Sequence, residues 1–365
     1  MKKRLVSTIA VISVAALTLA GCGSTSSEVQ SAASENKEAQ SENTAVSSAE
    51  EAKEPASGDD FTFKVAFENT MDEPVGQGLQ KWQSLLQEEN AGVQIELYPD
   101  SQLGAKSALM DSMLMGDNVI TLTDGSFYAE YGVRDFSVFY APFLFDDWDQ
   151  VWKLIDSDWY DSLCEQLDEK GLHIIASNWI YGARQLMTDK QVTTPADLKG
   201  LKIRVPDNLI QTESFNVMGG TSVALALGDV YQGLTAGTVD GVENPLATLY
   251  GRSFQEVCDY LLLTNHVMNS TTWVCSSDLW NSLTPEQQEA LTKTCEEAGK
   301  YNNEVYEKED ANYLQKMKDA GVTVTELTEE QRQEWKDAAA PIWDEAEKFS
   351  WSDGLKETVE GIIKE

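Results

Sequence analysis

The chain has 365 residues, 42% of them hydrophobic, and carries 27 Lys and Arg against 61 Asp and Glu, a formal charge of −34. This length and apolar content suffice for two α/β domains of ordinary size, each with its own core. The excess of negative charge argues against nucleic acid as a partner and against attachment to anionic lipid through basic patches, since both need clustered Lys and Arg.

The first 21 residues have the organisation of a secretory signal peptide. A basic start at Lys2, Lys3 and Arg4 is followed by the apolar stretch LVSTIAVISVAALTLAG, which ends in small residues. Cys22 comes next, and its context LAGC resembles the bacterial lipobox, in which the cysteine is lipidated. We expect cleavage before Cys22 and a lipid that anchors the mature chain to the outer face of the bacterial cell membrane. The alternative is an ordinary secreted protein with an incidental cysteine.

Residues 22–60 are predicted to form a disordered tether. Ser, Glu and Ala dominate this segment and aromatic residues are absent, so it buries too little apolar area to offset its chain entropy. Removal of residues 1–21 takes away three cations and no anions, which gives the mature chain a charge of 24 − 61 = −37.

The folded body opens with strands and helices in alternation. Period-two patterns predict strands at FTFKVAF, VQIELYP and NVITLT, and helical spacing lies between them at EPVGQGLQKWQSLLQEEN and SALMDSMLMGD. This β-α-β-α-β order indicates a largely parallel sheet with helices on its faces.

The middle of the chain continues the α/β pattern. HIIASNW is a predicted strand, and TPADLKG is a short helical turn with Thr194 as its N-cap and Gly200 as its stop. The turn leads into the strand LKIRVP, where Lys202 and Arg204 alternate with apolar residues. SFNVMGG is predicted helical, TSVALAL extended, and GDVYQGLTAGTVDGV a short helix, a turn and a strand.

Two capped helices follow near the C-terminus. Thr284 and Gln287 form a capping box, and helical residues continue to about Ala320, a length of roughly 54 Å at 1.5 Å per residue. A helix of this length is expected to lie across two lobes. After the strand VTVTEL, a second capping box begins a terminal helix that is expected to kink near Pro341.

Signatures of catalysis and of metal binding are scarce. His173 and His266 have no metal-ligand spacing, and no nucleophile elbow, Walker loop or dinucleotide fingerprint is present. We therefore predict no catalytic residue, no cofactor and no metal. Four cysteines either pair in one of three ways or stay buried and unpaired: Cys164, Cys258, Cys275 and Cys295.

Three polar residues stand near predicted strand ends. Arg184 follows a strand and a glycine turn, Arg204 ends a strand, and Asn244 comes just past another strand. Open α/β sheets bind ligands at the carboxyl ends of their strands, so these side chains are candidates to converge. The planar fork of Arg suits a carboxylate, although a surface Arg paired with a local Asp is the alternative.

Four segments resemble one known family in order and spacing: PDSQLGAKSALMDSMLMGD, PADLKGLKIRVPDN, GDVYQGLTAGTVDGVENPL and LLLTNHVMN. They are similar to the extracytoplasmic solute-binding subunits of tripartite ATP-independent periplasmic (TRAP) transporters, the dicarboxylate-binding-protein family. The resemblance runs from about residue 62 to residue 325.

The resemblance implies a two-lobed α/β clamshell with hinge strands and a long lobe-spanning helix, which closes over a ligand in the cleft. We assign residues 61–181 and 270–309 to lobe I, and residues 182–269 and 310–365 to lobe II. By the family's motifs, Arg204 is expected to pair with the ligand carboxylate. Arg184 is expected to make a second or water-mediated contact, and Asn244 to donate a hydrogen bond to the same carboxylate. Lys202 is then the solvated cation of its strand.

The chain departs from the sialic-acid-binding members of the family. Leu227 stands where those members carry an aromatic residue, and Asp124 stands where an acidic residue contacts ligand hydroxyls. Glu68 is a possible third contact. Phe127 and Trp179 are candidates for ring-stacking walls, with a place in the hydrophobic core as the commoner alternative for either ring. Carboxylates at Asp124 and Glu68 accept hydrogen bonds from hydroxyls but repel a second ligand carboxylate, which favours a sugar acid such as a uronate or aldonate.

The resulting hypothesis is a monomeric, lipid-anchored solute-binding protein that captures a small organic acid and delivers it to integral membrane TRAP subunits. A C4-dicarboxylate binder is an alternative within the same class. Two rivals come from other classes: a ligand-sensing lipoprotein that signals to a receptor, and an extracellular hydrolase with paired carboxylates.

Overall fold

One mixed sheet of ten strands runs through residues 61–364, the part of the chain that the computed structural model describes. The predicted signal peptide, Cys22 and the tether lie outside these residues. The strands are β1 (Phe61–Ala66), β2 (Val93–Tyr98), β3 (Val119–Thr123), β4 (Leu172–Thr188), β5 (Lys202–Val205), β6 (Thr221–Ala224), β7 (Gly241–Pro245), β8 (Tyr260–Leu263), β9 (Met268–Ser276) and β10 (Thr323–Glu326).

Helices cover both faces of the sheet and connect its strands. They are α1 (Pro74–Glu89), α2 (Lys106–Leu114), α3 (Gly125–Tyr128), α4 (Trp148–Ile155), α5 (Asp158–Glu169), α6 (Leu209–Val217), α7 (Val230–Thr235), α8 (Leu246–Gly251), α9 (Ser277–Ser282), α10 (Pro285–Asp319), α11 (Glu329–Ala339), α12 (Ala346–Phe349) and α13 (Leu355–Lys364).

The strand order is β2-β1-β3-β9-β4-β7-β5-β6, with β8 beside β4 and β10 beside β8. The outer pairs are parallel, but β9 is antiparallel to β3 and β4, and β4 is antiparallel to β7 and β8. The prediction of parallel strands, made from the opening of the chain, is confirmed for β1–β3, but the centre of the sheet is antiparallel. The reason is that β4 and β9 carry the chain between the two arms of the sheet in opposite directions.

Strand β4 belongs to both arms of the sheet. Its first part pairs with β9 in the arm that contains β1–β3, and its last part pairs with β7 and β8 in the other arm. Arg184 consequently lies inside β4 and not after a strand and turn as predicted. Gly182 keeps the strand continuous at a φ of 135°, where an added Cβ would lie 2.7 Å from Pro245 Cβ. Asn244 likewise lies within β7 and not past its end.

Helix α10 spans both arms, as predicted from its length. Its capping box is present, with Gln287 N donating to Thr284 Oγ1 at 3.2 Å and Thr284 N donating to Gln287 Oε1 at 3.0 Å. The first half of the helix packs into the core of the first arm around Trp179, and the second half packs into the core of the other arm through Tyr313 and Met317. The helix therefore braces the two halves against each other.

The C-terminal segment returns to the first arm. The predicted second capping box is present at Thr328, and α11 gives way to a 3-10 segment that contains Pro341. Beyond it, the apolar side chains of α13 join the same core as Val151 and Leu154 of α4. The predicted boundaries of the two lobes stay a prediction, but this packing places the last helix beside residues that were assigned to lobe I.

Trp179 is part of the core and not a wall of a ligand site. It is fully buried, its indole Nε1 donates to Cys295 O at 3.0 Å, and it is wedged between Gly78 of α1 and Gly299 of α10. The cysteines of the described residues are all free thiols, which selects the unpaired alternative: Cys164, Cys258, Cys275 and Cys295.

We expect Gly299→Ala to destabilise the protein by about 1–3 kcal/mol, because the added Cβ would lie 2.8 Å from ring atoms of Trp179. The matched control is Gly361→Ala in α13, where nothing lies within 4 Å of the added Cβ. Ala is the better helix former, so the control is expected to gain about 0.5–1 kcal/mol. Urea unfolding monitored by circular dichroism measures both changes, and equal gains at the two sites would contradict the packing.

Candidate functional site

A cavity of about 440 Å³ lies where the two arms of the sheet face each other. This size suits a small-molecule ligand. All six residues that the sequence predicted for ligand binding line this cavity: Glu68, Asp124, Phe127, Arg184, Arg204 and Asn244.

Arg204 is a buried guanidinium with no ionic partner. It lies on β5, is 2% exposed, and its Nε donates to Leu225 O at 2.8 Å. Among residues 61–364 no carboxylate forms an ion pair with it. Burial lowers the pKa of Arg204 to about 10, so the side chain is still charged at neutral pH. Lys202, by contrast, is partly exposed and donates to Gly237 O at 3.2 Å, as the sequence predicted for the solvated cation of this strand.

Arg184 also lines the cavity, but protein groups already engage its guanidinium. Its Nε and Nη2 donate to the two carboxylate oxygens of Glu243 at 2.5 and 2.7 Å, a bidentate pair between β4 and β7. With the amide of Asn269 oriented to satisfy its neighbours, Arg184 Nη1 donates to Asn269 Oδ1 at 3.0 Å. Its predicted contact with a ligand stays a prediction, and its observed contacts are with Glu243 and Asn269.

Glu243 is the centre of this buried ion pair. His266 Nε2 lies 3.2 Å from Glu243 Oε2, the same oxygen that accepts from Arg184 Nε. Burial alone would raise the pKa of Glu243, but the guanidinium of Arg184 and its hydrogen bonds outweigh it and lower the pKa to about 2. The carboxylate is therefore ionised at any physiological pH, and the pair contributes no net charge to the cavity.

Two amides of the cavity lining have an oxygen without a hydrogen-bond partner among residues 61–364. They are Asn244 Oδ1 on β7 and Gln211 Oε1 on α6. Gln211 Nε2 donates to Ser126 Oγ at 3.1 Å, which joins the two arms across the cavity. Buried polar atoms are normally paired, so these two oxygens are exceptions in the cavity lining. Leu227, 3% exposed, supplies an apolar wall beside them.

The arm that contains β1 and β3 contributes a cluster of three charges to the cavity, formed by Glu68, Lys106 and Asp124. Lys106 Nζ lies 3.6 Å from Glu68 Oε2, 3.4 Å from Asp124 Oδ2 and 4.6 Å from the ring centroid of Phe127. Asp124 also caps α3, since its Oδ1 accepts from Ser126 N at 3.0 Å and from Ser126 Oγ. Burial would lower the pKa of Lys106, but the two carboxylates outweigh it and raise that pKa.

Sequence reasoning missed several residues of the lining. The most informative is Lys106, which lies in the quoted segment GAKSALMDSMLMGD and is the first residue of α2. A cation in the first turn of a helix opposes the helix dipole, and this mismatch was a signal in the sequence. The other missed polar residues had no such local signal: Tyr140, Tyr181, Gln211 and Asn269.

Within residues 61–364, no group of His, Cys, Asp and Glu is arranged to hold a metal ion. His173 Nδ1 lies 2.9 Å from Asp168 Oδ1 and its ring stacks on Trp280, outside the cavity. None of the helices in this part of the chain combines the length and apolar character that crossing a membrane requires.

A two-armed sheet that encloses a cavity with an unpaired guanidinium is typical of a protein that binds a small solute. The chain matches the family model described as bacterial extracellular solute-binding protein, family 7, over residues 65–349, and it belongs to this family. The predicted resemblance is thereby confirmed, and the family is one of solute-binding proteins and not of enzymes.

The chain is also similar to solute-binding proteins whose structures have been solved. A TRAP periplasmic solute binding protein from Ochrobacterium anthropi, solved with bound L-fuconate, is 36% identical with a TM-score of 0.79 and covers 83% of this chain and 99% of its own. One from Actinobacillus succinogenes 130Z with bound L-galactonate is 33% identical with a TM-score of 0.80 and the same coverage. These likenesses confirm the predicted two-lobed α/β fold.

The C4-dicarboxylate-binding periplasmic protein DctP of Rhodobacter capsulatus is 29% identical over 293 residues, which are 80% of this chain and 88% of that protein. Similar proteins therefore include binders of sugar acids and a binder of C4-dicarboxylates.

We expect Glu243→Gln to destabilise the protein by about 3–5 kcal/mol at pH 7, because it leaves the buried guanidinium of Arg184 without its counter-charge. The matched control is Glu89→Gln, which breaks the exposed 3.0 Å pair with Lys293 and leaves stability almost unchanged. Urea unfolding measures both variants.

The difference in unfolding free energy between wild type and Glu243→Gln depends on pH, and the sign of this dependence follows from the pKa of Glu243. The pKa of Glu243 is lowered in the folded state from 4.5 to about 2. Its stabilisation is therefore complete above the unfolded-state pKa and is lost as the pH falls through the window down to about 2. The gap between wild type and Glu243→Gln should narrow across this window, and a constant gap would contradict the assignment.

Proposed function

We propose that the protein captures a monocarboxylate sugar acid outside the cytoplasm and delivers it to a TRAP-type secondary transporter. The observation that carries this proposal is the unpaired guanidinium of Arg204 in the cavity. Leaving a charge buried without a partner is costly, and a ligand carboxylate repays that cost with two parallel charge-assisted hydrogen bonds. Asn244, whose amide lines the same cavity, contributes to the same end of the ligand.

The rest of the ligand faces hydrogen-bond acceptors. Glu68 and Asp124 line the cavity and come from the arm that contains β1 and β3. Acceptors of this kind suit ligand hydroxyl groups, and Phe127 offers an apolar ring for the carbon chain. The bound L-fuconate and L-galactonate of two similar structures support the sugar-acid class over a C4-dicarboxylate.

Ligand capture couples to closure of the two lobes. Glu68, Asp124 and Phe127 come from the arm that contains β1 and β3, whereas Arg204 and Asn244 come from the other arm. A ligand that contacts both arms favours the closed arrangement over the open one, since only the closed form makes both sets of contacts. The closed, loaded form is the state that a membrane partner would recognise.

Arg204→Ala is expected to reduce affinity for L-galactonate or the tightest sugar acid of a thermal-shift panel by at least tenfold, about 1.4 kcal/mol. The ligand-free variant should melt at the wild-type temperature or above it, because the mutation removes an unpaired buried charge. Calorimetric titration and a melting curve give the two numbers.

The matched control for that experiment is Lys202→Ala, which removes the partly exposed cation two residues away on the same strand. Its affinity should stay within about twofold of wild type. A loss of affinity that is equal in both variants, or below tenfold in Arg204→Ala, would show that Arg204 does not bind the carboxylate.

We further propose that Cys22 carries the lipid that holds the protein at the membrane. The support is the sequence LAGC after an apolar segment. In a bacterial host fed an azide-labelled fatty acid, the wild-type chain should take up label and sediment with membranes, whereas Cys22→Ala should do neither. Label in both chains would contradict the anchor.

A further inference from the structure

A buried carboxylate outside the cavity lining joins the two arms of the sheet. Glu73 is 1% exposed and directly precedes α1, in the arm that contains β1–β3. Its Oε1 accepts from Thr70 N at 2.8 Å, and its Oε2 accepts from Asn69 Nδ2 at 2.6 Å and from Thr248 Oγ1 at 2.8 Å. Thr248 lies on α8, which follows β7 in the other arm. A direct hydrogen bond therefore connects a side chain of each arm.

One side of α8 is shaped for this contact. Thr248, Gly251 and Arg252 are spaced three and four residues apart, so they lie on the same side of the helix. A Cβ added at Gly251 would lie 2.9 Å from Glu73 Oε1, which is too close for an ordinary contact. Arg252 Nη1 lies 3.9 Å from Oδ1 of Asp100, in the loop that follows β2. The helix thus contacts the other arm at two points.

This contact extends to the cavity through Tyr181 of β4. The Tyr181 hydroxyl lies 3.4 Å from Asn69 Nδ2 and 3.4 Å from Thr248 Oγ1, and the same side chain lines the cavity. Glu73 and Thr248 do not belong to that lining. They can therefore act on a bound ligand without touching it, through the position of Tyr181 and the relation of the two arms.

The carboxylate depends on its hydrogen-bond donors. Burial raises the pKa of Glu73, whereas its hydrogen bonds and the charge of Arg252 oppose this rise. A buried acceptor that loses a donor keeps its desolvation cost without compensation. A movement of α8 away from the other arm that breaks the bond from Thr248 is consequently disfavoured.

We propose that Glu73, Thr248 and Arg252 form a tie between the arms, which holds them in the arrangement that encloses the cavity and so raises affinity for the ligand. Glu73 is a positioning residue, since it acts through α8 and Tyr181 and not on the ligand itself. This inference rests on the proposed function, but the effect of the tie on the arms exists without any ligand.

The first test is Thr248→Val, which keeps the shape of the side chain and removes the hydroxyl that donates to Glu73. We expect it to weaken binding of L-galactonate at least fivefold in calorimetric titration, because the arms lose part of their preference for the enclosing arrangement. Thr248→Ser keeps the hydroxyl and should stay within twofold of wild type. The matched control is Thr235→Val on α7, which removes an exposed hydroxyl that donates to Tyr231 O and should also stay within twofold.

The second test measures the relation of the arms without ligand. Spin labels are attached at two exposed positions, through Glu88→Cys on α1 and Lys199→Cys just before β5, in a background with Cys22→Ala and Cys164→Ser. The remaining cysteines are at most 1% exposed. Pulsed electron paramagnetic resonance should show a broader distribution of label-to-label distances in Thr248→Val than in wild type, and the serine variant and the α7 control should match wild type.

Two results would overturn the tie. One is a Thr248→Val protein that melts at a lower temperature but keeps wild-type affinity and wild-type distances, which is the behaviour of a purely structural bond. The other is an equal loss of affinity in Thr248→Ser. If Thr248→Val does not fold, Arg252→Gln removes the second contact and should broaden the distances in the same way, and an unchanged distribution would then overturn the tie.

The two tests also separate this inference from the proposed function. A wild-type protein that binds no sugar acid overturns the proposed function, while the ligand-free distances still decide whether the tie exists. Wild-type distances in Thr248→Val, together with binding of L-galactonate that depends on Arg204, overturn the tie alone.

Discussion

The constraint on which the site depends is one buried positive charge that the protein itself does not neutralise. Arg204 is held in position by Leu225 O, and its burial lowers its pKa to about 10 without removing the charge at neutral pH. Desolvation of this guanidinium on folding is unfavourable, and under the proposed function a ligand anion offsets that free-energy cost. Two amide oxygens of the cavity lining, those of Gln211 and Asn244, also lack a hydrogen-bond partner among residues 61–364.

The two arginines of the cavity differ in their hydrogen-bond and ion-pair partners. Arg184 has a bidentate partner in Glu243 and a third contact to Asn269, so it is a rigid structural element between β4 and β7. Arg204 has a single backbone acceptor and no acid. The cavity thus has a neutral buried pair beside a guanidinium that has no ion-pair partner among residues 61–364.

The cavity is formed by residues of both arms of the sheet, so its shape depends on how the two arms are held together by the sheet and by α10. Strand β4 is shared between the arms, and α10 contributes to the core of each. Glu68, Asp124, Lys106 and Phe127 come from one arm, whereas Arg204 and Asn244 come from the other. Neither arm holds a complete site, which gives the ligand a differential contact energy between open and closed forms.

The sequence by itself determined the features that depend on neighbours a few residues apart or on a motif. The capping boxes at Thr284 and Thr328, the extent of α10 and the six residues of the cavity are of this kind. The tertiary structure decided the direction of the central strands, the continuation of β4 through Gly182 and the partners of each charge. Glu243 lies 59 residues from Arg184 and Asp124 lies 18 from Lys106, so no local pattern shows which cation is paired and which is free. Charge pairing follows spatial distance, and only the folded chain sets that distance.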